Sequence, residues 1–284
     1  MCAMGARHGH RDLRGAQWAH AAARPDAAMC LIAFAWRTHP QWRLVLVANR
    51  DEFHARPTAP LAAWDEAPQI LAGRDLEAGG TWAGVAPDGR VGVITNVRDM
   101  HADHSGLSRG LLVADYLGAT LPARTHAIEL MASARDYRPF NLLTFDHDDA
   151  YYLGNHPVAR AQPVAAGVHG LSNADFNAPW PKTRALVQRL GDWLAQDGSG
   201  DPDRLFALLA DHGVWPDDVL PDTGIGIERE RFLSSAFIVG EHYGTRASTV
   251  ILVDNEGRTM IGERRFGPHG VFEGETRIHA DVPR

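Results

Sequence analysis

The sequence predicts an α+β fold built on antiparallel sheets. Its strand-like runs come as hairpins, its helical segments come as two successive pairs set apart from them, and no composition shift or low-complexity linker divides the 284 residues. A parallel sheet would instead alternate single strands with single helices. A four-layer α/β/β/α sandwich is one arrangement that buries both faces of two sheets under two helical pairs, in a single domain over residues 29–284.

Taken in order, residues 30–36 and 44–48 are continuous apolar runs about the polar turn RTHPQ, a hairpin of buried strands. The return strand continues into NRDEF at 49–53. Antiparallel pairing therefore sets Asn49, Arg50 and Asp51 near Cys30. RPTAP at 56–60 and EAP at 66–68 read as an irregular connection. GGTWAGVAPDGRVGVITN reads as two strands about a Pro-Asp-Gly turn, the second ending at Thr95 and Asn96. A polar loop follows at 97–107. The first helical pair is 108–118, with Ser108 as cap and Gly118 as stop, and 120–135, with Thr120 as cap and Pro122 in the first turn.

FNLLTFD and AYYLGN form a hairpin, and 161–173 supply one further short strand ending at Ser172 and Asn173. PKTRALVQRLGDWLAQ and DPDRLFALLADHG are the second helical pair. An irregular stretch runs to 234. Strands are then expected at SAFIVG (235–240), RASTVILVD, RTMIGERRF and VFEGETRIH, with a NEGR turn between the second and third.

Composition narrows the function classes. Hydrophobic content of 45% and charged content of 22% are those of an ordinary soluble globular protein. No apolar run approaches the roughly 18 residues of a membrane span, so no integral membrane segment is expected. A net charge of −7 without a basic cluster argues against a nucleic-acid partner. Two cysteines, Cys2 and Cys30, make neither a disulfide framework nor a zinc site, so no metal is expected and the default location is cytoplasmic.

The two cysteines differ in setting, although each follows a methionine. Cys2 sits in a glycine-containing segment without apolar period. Cys30 opens a buried strand. Residues 1–28 carry four arginines against two aspartates and lack the apolar core of a secretory signal. They read as a disordered extension or an upstream-start artefact, with Met29 as the functional start. Loss of Met29 would leave Cys30 with thiol and free α-amine on one residue, the amine serving as base for the thiol. A buried, inert strand cysteine is the competing reading.

MCLIAFAW (29–36), ANRDEF (48–53), GGTWAGV (79–85), GVITN (92–96), LSN (171–173) and YGTRASTVILVD (243–254) together resemble the NRDE family, whose eukaryotic members are the transport and Golgi organisation protein 2 family. The resemblance implies the N-terminal nucleophile hydrolase fold. More distantly the layout resembles cysteine acylases, and that likeness implies Cys30 as nucleophile. Asp51 would hold the amine or orient the thiol, and Asn96 and Asn173 would donate to an oxyanion. Arg246 would steady the site's carboxylate or bind an anionic substrate. Asn49, Arg50, Thr81 and Trp82 would support the pocket. The acylases carry an arginine immediately before Asn-x-Asp where this chain has Ala48, which leaves open whether Arg50 supplies that charge. The family also implies a second reading, a carrier of haem or another hydrophobic ligand through the same pocket, against a small-molecule acyl substrate that needs no cofactor. HADH at 101–104 reads as solvated loop histidines rather than haem ligands.

Overall fold

The computed structural model describes residues 29–196 and 198–280. The expectation for residues 1–28, including Cys2, lies outside the described residues. Strand β1 (Met29–Trp36) pairs antiparallel with β2 (Trp42–Phe53), as the apolar runs predict. β3 (Thr58–Ala63) and β4 (Leu71–Asp75) follow, then β5 (Ala83–Val85) and β6 (Val91–Asn96) about the Pro-Asp-Gly turn. Helices α1 (Leu111–Gly118) and α2 (Ala123–Leu130) lead to β7 (Phe140–Phe145), β8 (Ala150–Gly154), β9 (Arg160–Pro163) and β10 (Gly167–Leu171). The second helical pair is α3 (Pro181–Gln196) and α4 (Pro202–Leu209), followed by α5 (Ile227–Phe232). β11 (Tyr243–Asp254), β12 (Thr259–Phe266) and β13 (Phe272–Ala280) close the described chain.

Two sheets result, in the orders β10-β1-β2-β11-β12-β13 and β3-β4-β5-β6-β7-β8-β9. The period-two alternation of β1 and β2 assigns their side chains to two different cores. Ile32, Phe34, Trp36, Leu44 and Leu46 meet Val85, Val91 and Val93 between the sheets. Leu31, Ala33, Ala35, Val45 and Val47 pack under Leu186, Leu190, Leu205 and Phe206 of α3 and α4. The outer face of the second sheet, with Ile94, Leu142 and Leu153, is covered by Leu112, Tyr116 and Leu117 of α1. This is the four-layer α/β/β/α sandwich. Both faces of β1 and β2 are buried, which is why their sequences are continuously apolar rather than alternating.

The structure departs from the sequence expectations locally. Residues 58–63 and 71–75 are edge strands rather than an irregular connection, because backbone pairing of Thr58 with Asp75 and Ala63 with Leu71 needs no apolar alternation. The single strand expected over 161–173 is two strands in different sheets, β9 beside β8 and β10 beside β1. SAFIVG is not a strand. It runs as turns and bends across the ends of β2 and β11, and a short helix, α5, precedes it. Neither predicted side-chain cap forms: α1 begins after Gly110 and α2 after Pro122. The Ala123 N–H of α2 donates instead to Asp146 Oδ2 (2.6 Å), from the β7–β8 turn.

Candidate active site

Cys30 lies at the start of β1, opposite Arg50, with Leu31 opposite Asn49 and Met29 opposite Asp51. Paired residues share a face, and successive residues alternate faces. Cys30, Arg50 and Glu52 therefore turn into a cavity of about 270 Å³ between the sheets, where Trp82 and Asn96 join them. Asn49 and Asp51 turn the other way, toward the helices. The NRDE run thus serves two different polar clusters back to back.

On the cavity side, the Arg50 guanidinium lies over the Trp82 ring, 4.5 Å from its centroid. Its Nη2 is 3.4 Å from Asp75 Oδ2 and 3.6 Å from Glu52 Oε2, while Arg56 Nε takes Asp75 Oδ2 at 2.7 Å. Arg50 places a cation on the face of Cys30, two residues further along the strand than Ala48. Thr81 is held by its N–H to Gly110 O (3.0 Å) and its Oγ1 to Ala83 O (3.0 Å). The preceding Gly80 touches the backbone of Gly110 so closely that a Cβ would stand 2.2 Å from its carbonyl.

The start of β1 and the end of β6 meet at the same cavity, and the residues after β10 brace them from behind. Ser172 Oγ donates to the Cys30 carbonyl at 2.9 Å, and Thr95 Oγ1 to the Ser172 carbonyl at 2.7 Å. Asn173, fully buried, donates Nδ2 to Asn96 Oδ1 (2.6 Å) and Asn96 O (3.1 Å). Asn96 lines the cavity and Asn173 does not. The geometry separates two residues that the sequence reading treated alike: Asn96 lies at the cavity and its Oδ1 accepts from Asn173, which stands behind it.

On the helical side, Asn49 Nδ2 bridges the carbonyls of Leu209 (3.0 Å) and Ala236 (2.7 Å), and its Oδ1 accepts from Ser248 Oγ (2.6 Å). Asp51 Oδ1 accepts from Thr245 Oγ1 at 2.6 Å, and its buried Oδ2 has no hydrogen-bond partner among the described residues. Burial raises the Asp51 carboxyl to about 6, against the pull of the Lys182 ammonium. Burial also brings Lys182 down to about 8, while Asp51 acts to hold it up. With Met29 attached, burial and then the Asp51 charge push the Cys30 thiol up to about 12.

Arg246 stands apart from this carboxylate. It sits at a bulge of β11, and its Nη1 donates to the carbonyls of Phe53 (3.3 Å) and Arg56 and to Thr58 Oγ1 (3.3 Å). It braces the β2–β3 connection. The sequence reading missed Lys182 and Ser172. A single lysine in a first helical turn reads as solvated, and Ser172 was visible only as part of the LSN block. Among the described residues, the cavity lining contains no His and no Met. His101 and His104 lie in the 97–107 loop, with His104 Nε2 2.9 Å from the Asp99 carbonyl.

The chain matches the family model described as Transport and Golgi organisation 2 over residues 29–268. It is 30% identical over 270 residues to the transport and Golgi organization protein 2 homolog of Bos taurus, covering 88% of this chain and 98% of that one. The corresponding Homo sapiens homolog is 31% identical over 271 residues, covering 88% and 98%, and the Drosophila melanogaster protein 31% over 287, covering 89% and 98%. Among solved structures, the chain is similar to a Caenorhabditis elegans N-acylethanolamine-hydrolyzing acid amidase ortholog, with a TM-score of 0.47 and 12% identity over 78% of this chain and 92% of that one. It is also similar to a mutant conjugated bile acid hydrolase from Clostridium perfringens, with a TM-score of 0.48 and 8% identity, covering 89% and 92%. No helix among the described residues is long and apolar enough to cross a membrane.

Proposed function

The chain belongs to the transport and Golgi organisation 2 family, and from that premise we propose a cysteine amidohydrolase or acyltransferase whose nucleophile is Cys30, exposed by loss of Met29 and all before it. One observation carries the reading. The second residue of β1 puts its thiol side at a cavity with Arg50 and Asn96, and the peptide bond whose cleavage would free its amine adjoins the Met29–Asp51 rung.

In a peptide bond, Cys30 keeps its proton at neutral pH, since burial and Asp51 push the thiol up to about 12. A freed α-amine has an ordinary pKa of about 7.7–8.0 and can take that proton. The thiolate then attacks the carbonyl carbon of an amide or thioester, and the new oxyanion meets the Asn96 Nδ2. Such a donor is worth about 3 kcal/mol in the transition state. Collapse breaks the bond to the leaving group, which takes the proton from the α-ammonium. Water, or another acceptor in transfer, attacks the acyl thioester with the amine again as base, and the released sulfur recovers its proton. Arg50 supplies positive charge on the thiol's face.

The charged lining of Arg50, Glu52, Arg56 and Asp75 supports an acyl substrate with polar ends. The test is intact mass of protein from its natural gene, then acylation by an activated p-nitrophenyl ester. A chain beginning at Cys30 that gains one acyl mass, and a Cys30→Ala variant that gains none, are expected. Turnover unchanged in Cys30→Ala would sink the reading.

A further inference from the structure

Arg98 lies two residues beyond the end of β6, yet its side chain is only 8% exposed. The guanidinium lies over the Trp180 ring, 4.4 Å from its centroid, and Nη2 stands 2.9 Å from Glu230 Oε2 of α5. Glu230 is itself buried and held, its Oε1 accepting from the Thr223 N–H at 2.9 Å and from Thr223 Oγ1 at 2.6 Å. A buried ion pair is a poor source of stability, because desolvation offsets much of the attraction and an apolar pair of similar volume often does as well. What this one supplies is a fixed position for residue 98. The main chain there shows what is held in place. The Arg98 N–H donates to the Asn173 carbonyl at 2.7 Å, while Asn173 Nδ2 donates back to Asn96 O at 3.1 Å and Asn96 Oδ1 at 2.6 Å. Residues 96–98 therefore grip Asn173 from both ends, and Asn96 is the member of this group that lines the cavity with Cys30.

We propose that Arg98 and Glu230 are positioning residues for the oxyanion donor: their ion pair fixes the main chain at residue 98, through it Asn173, and through Asn173 the side-chain amide of Asn96. The inference rests on the reading of Cys30 as nucleophile and Asn96 as donor to its oxyanion. Among the described residues, Arg98 and Glu230 are not in the cavity lining, so they act through Asn96 and not on substrate. A donor works only within about 2.7–3.1 Å of the place where the oxyanion forms. A misplacement of about 1 Å at a reacting centre can cost about a hundredfold in rate. The clamp joins the helical layer to the cavity wall, since Glu230 belongs to α5 and Asn96 to β6.

The experiment compares wild type, Glu230→Gln, Asn96→Ala and the double variant, each verified by intact mass to begin at Cys30, in two reactions of the same thiol. Acylation by p-nitrophenyl acetate passes through an oxyanion. Alkylation by iodoacetamide displaces iodide and forms none. Gln at position 230 can still accept from Thr223 but offers Arg98 no charge. Glu230→Gln should slow acylation about tenfold and leave alkylation unchanged. In the Asn96→Ala background the same substitution should cost nothing further, because both changes act through one donor. Acylation unmoved, alkylation slowed as much as acylation, or an equal cost of Glu230→Gln with and without Asn96 overturns the inference while leaving Cys30 as nucleophile. Should Glu230→Gln not fold with Arg98 left uncompensated, Arg98→Met combined with Glu230→Gln removes both charges, and the same comparison of acylation with alkylation decides. A wild type that is alkylated but never acylated overturns the reading of Cys30, and this inference with it.

Discussion

Replacing Asp51 with Asn should flatten the pH dependence of stability between about pH 4 and pH 6. In the folded protein the carboxyl is raised from 3.8 to about 6 by burial. Between those values the native state binds more protons than the unfolded chain, so stability falls as pH rises. The contribution is fully present below 3.8 and lost above about 6. A shift of about two units corresponds to about 3 kcal/mol. The Lys182 ammonium, which titrates at about 8, stays charged across this window and adds a constant. Asn at position 51 keeps an oxygen to accept from Thr245 Oγ1, and whatever its amide costs is independent of pH. Urea unfolding at half-unit steps from pH 4 to pH 7 would then show wild type losing about 3 kcal/mol relative to Asp51→Asn. Parallel stability curves for the two proteins would refute the buried, charge-penalised Asp51 from which the reasoning starts.

Lys182 should give the opposite slope at high pH. Its native value of about 8 against 10.5 makes wild type gain stability as pH rises through that interval, and Lys182→Met should not, as thermal melts from pH 7.5 to 10.5 would show. Asn49→Ala strips partners from two carbonyls and the Ser248 hydroxyl, and at the low end of about 1–3 kcal/mol for each orphaned group it should cost at least about 3 kcal/mol in a denaturant titration. Gly80→Ala forces apart the Gly80–Gly110 contact, where a Cβ would lie 2.2 Å from backbone, and should both lower Tm and slow acylation of Cys30 by displacing Thr81. Arg50→Met keeps a side chain to cover Trp82 but removes the cation, so alkylation of Cys30 by iodoacetamide at pH 8 should slow about tenfold, while Arg50→Lys should retain part of the rate.

The sequence made most of the sandwich legible because burial on both faces leaves continuous apolar runs. β1, β2, β11 and the pair α3 and α4 could be read for that reason. β3 and β4 could not, since they lie at the edge of the second sheet and are held by backbone pairing that proline and alanine tolerate. SAFIVG misled because its apolar residues fill a tertiary gap rather than one face of a ladder. The cavity group Cys30, Arg50, Thr81, Trp82 and Asn96 was found from adjacent motif blocks. The contacts of Arg246 with the carbonyls of Phe53 and Arg56 could not be read from the sequence, because a bulge in β11 sets them and a bulge leaves no mark in local composition. Lys182 left no local signal at all, for its burial against the Leu233 carbonyl is set by a segment distant along the chain.

Residues 233–238 lie outside every strand, yet their backbone holds four partners from separate elements. The Leu233 carbonyl takes Lys182, the Ala236 carbonyl takes Asn49, Phe237 N–H reaches Asp211 and Ile238 N–H reaches Thr245. Side-chain swaps that leave this backbone path intact should be survivable in a saturation library. A one-residue deletion or insertion should not, because it would move every carbonyl and N–H off its partner together. Connecting segments usually accept length changes readily. This one should tolerate them about as poorly as a central strand, and length variants rather than substitutions would mark it out in a screen.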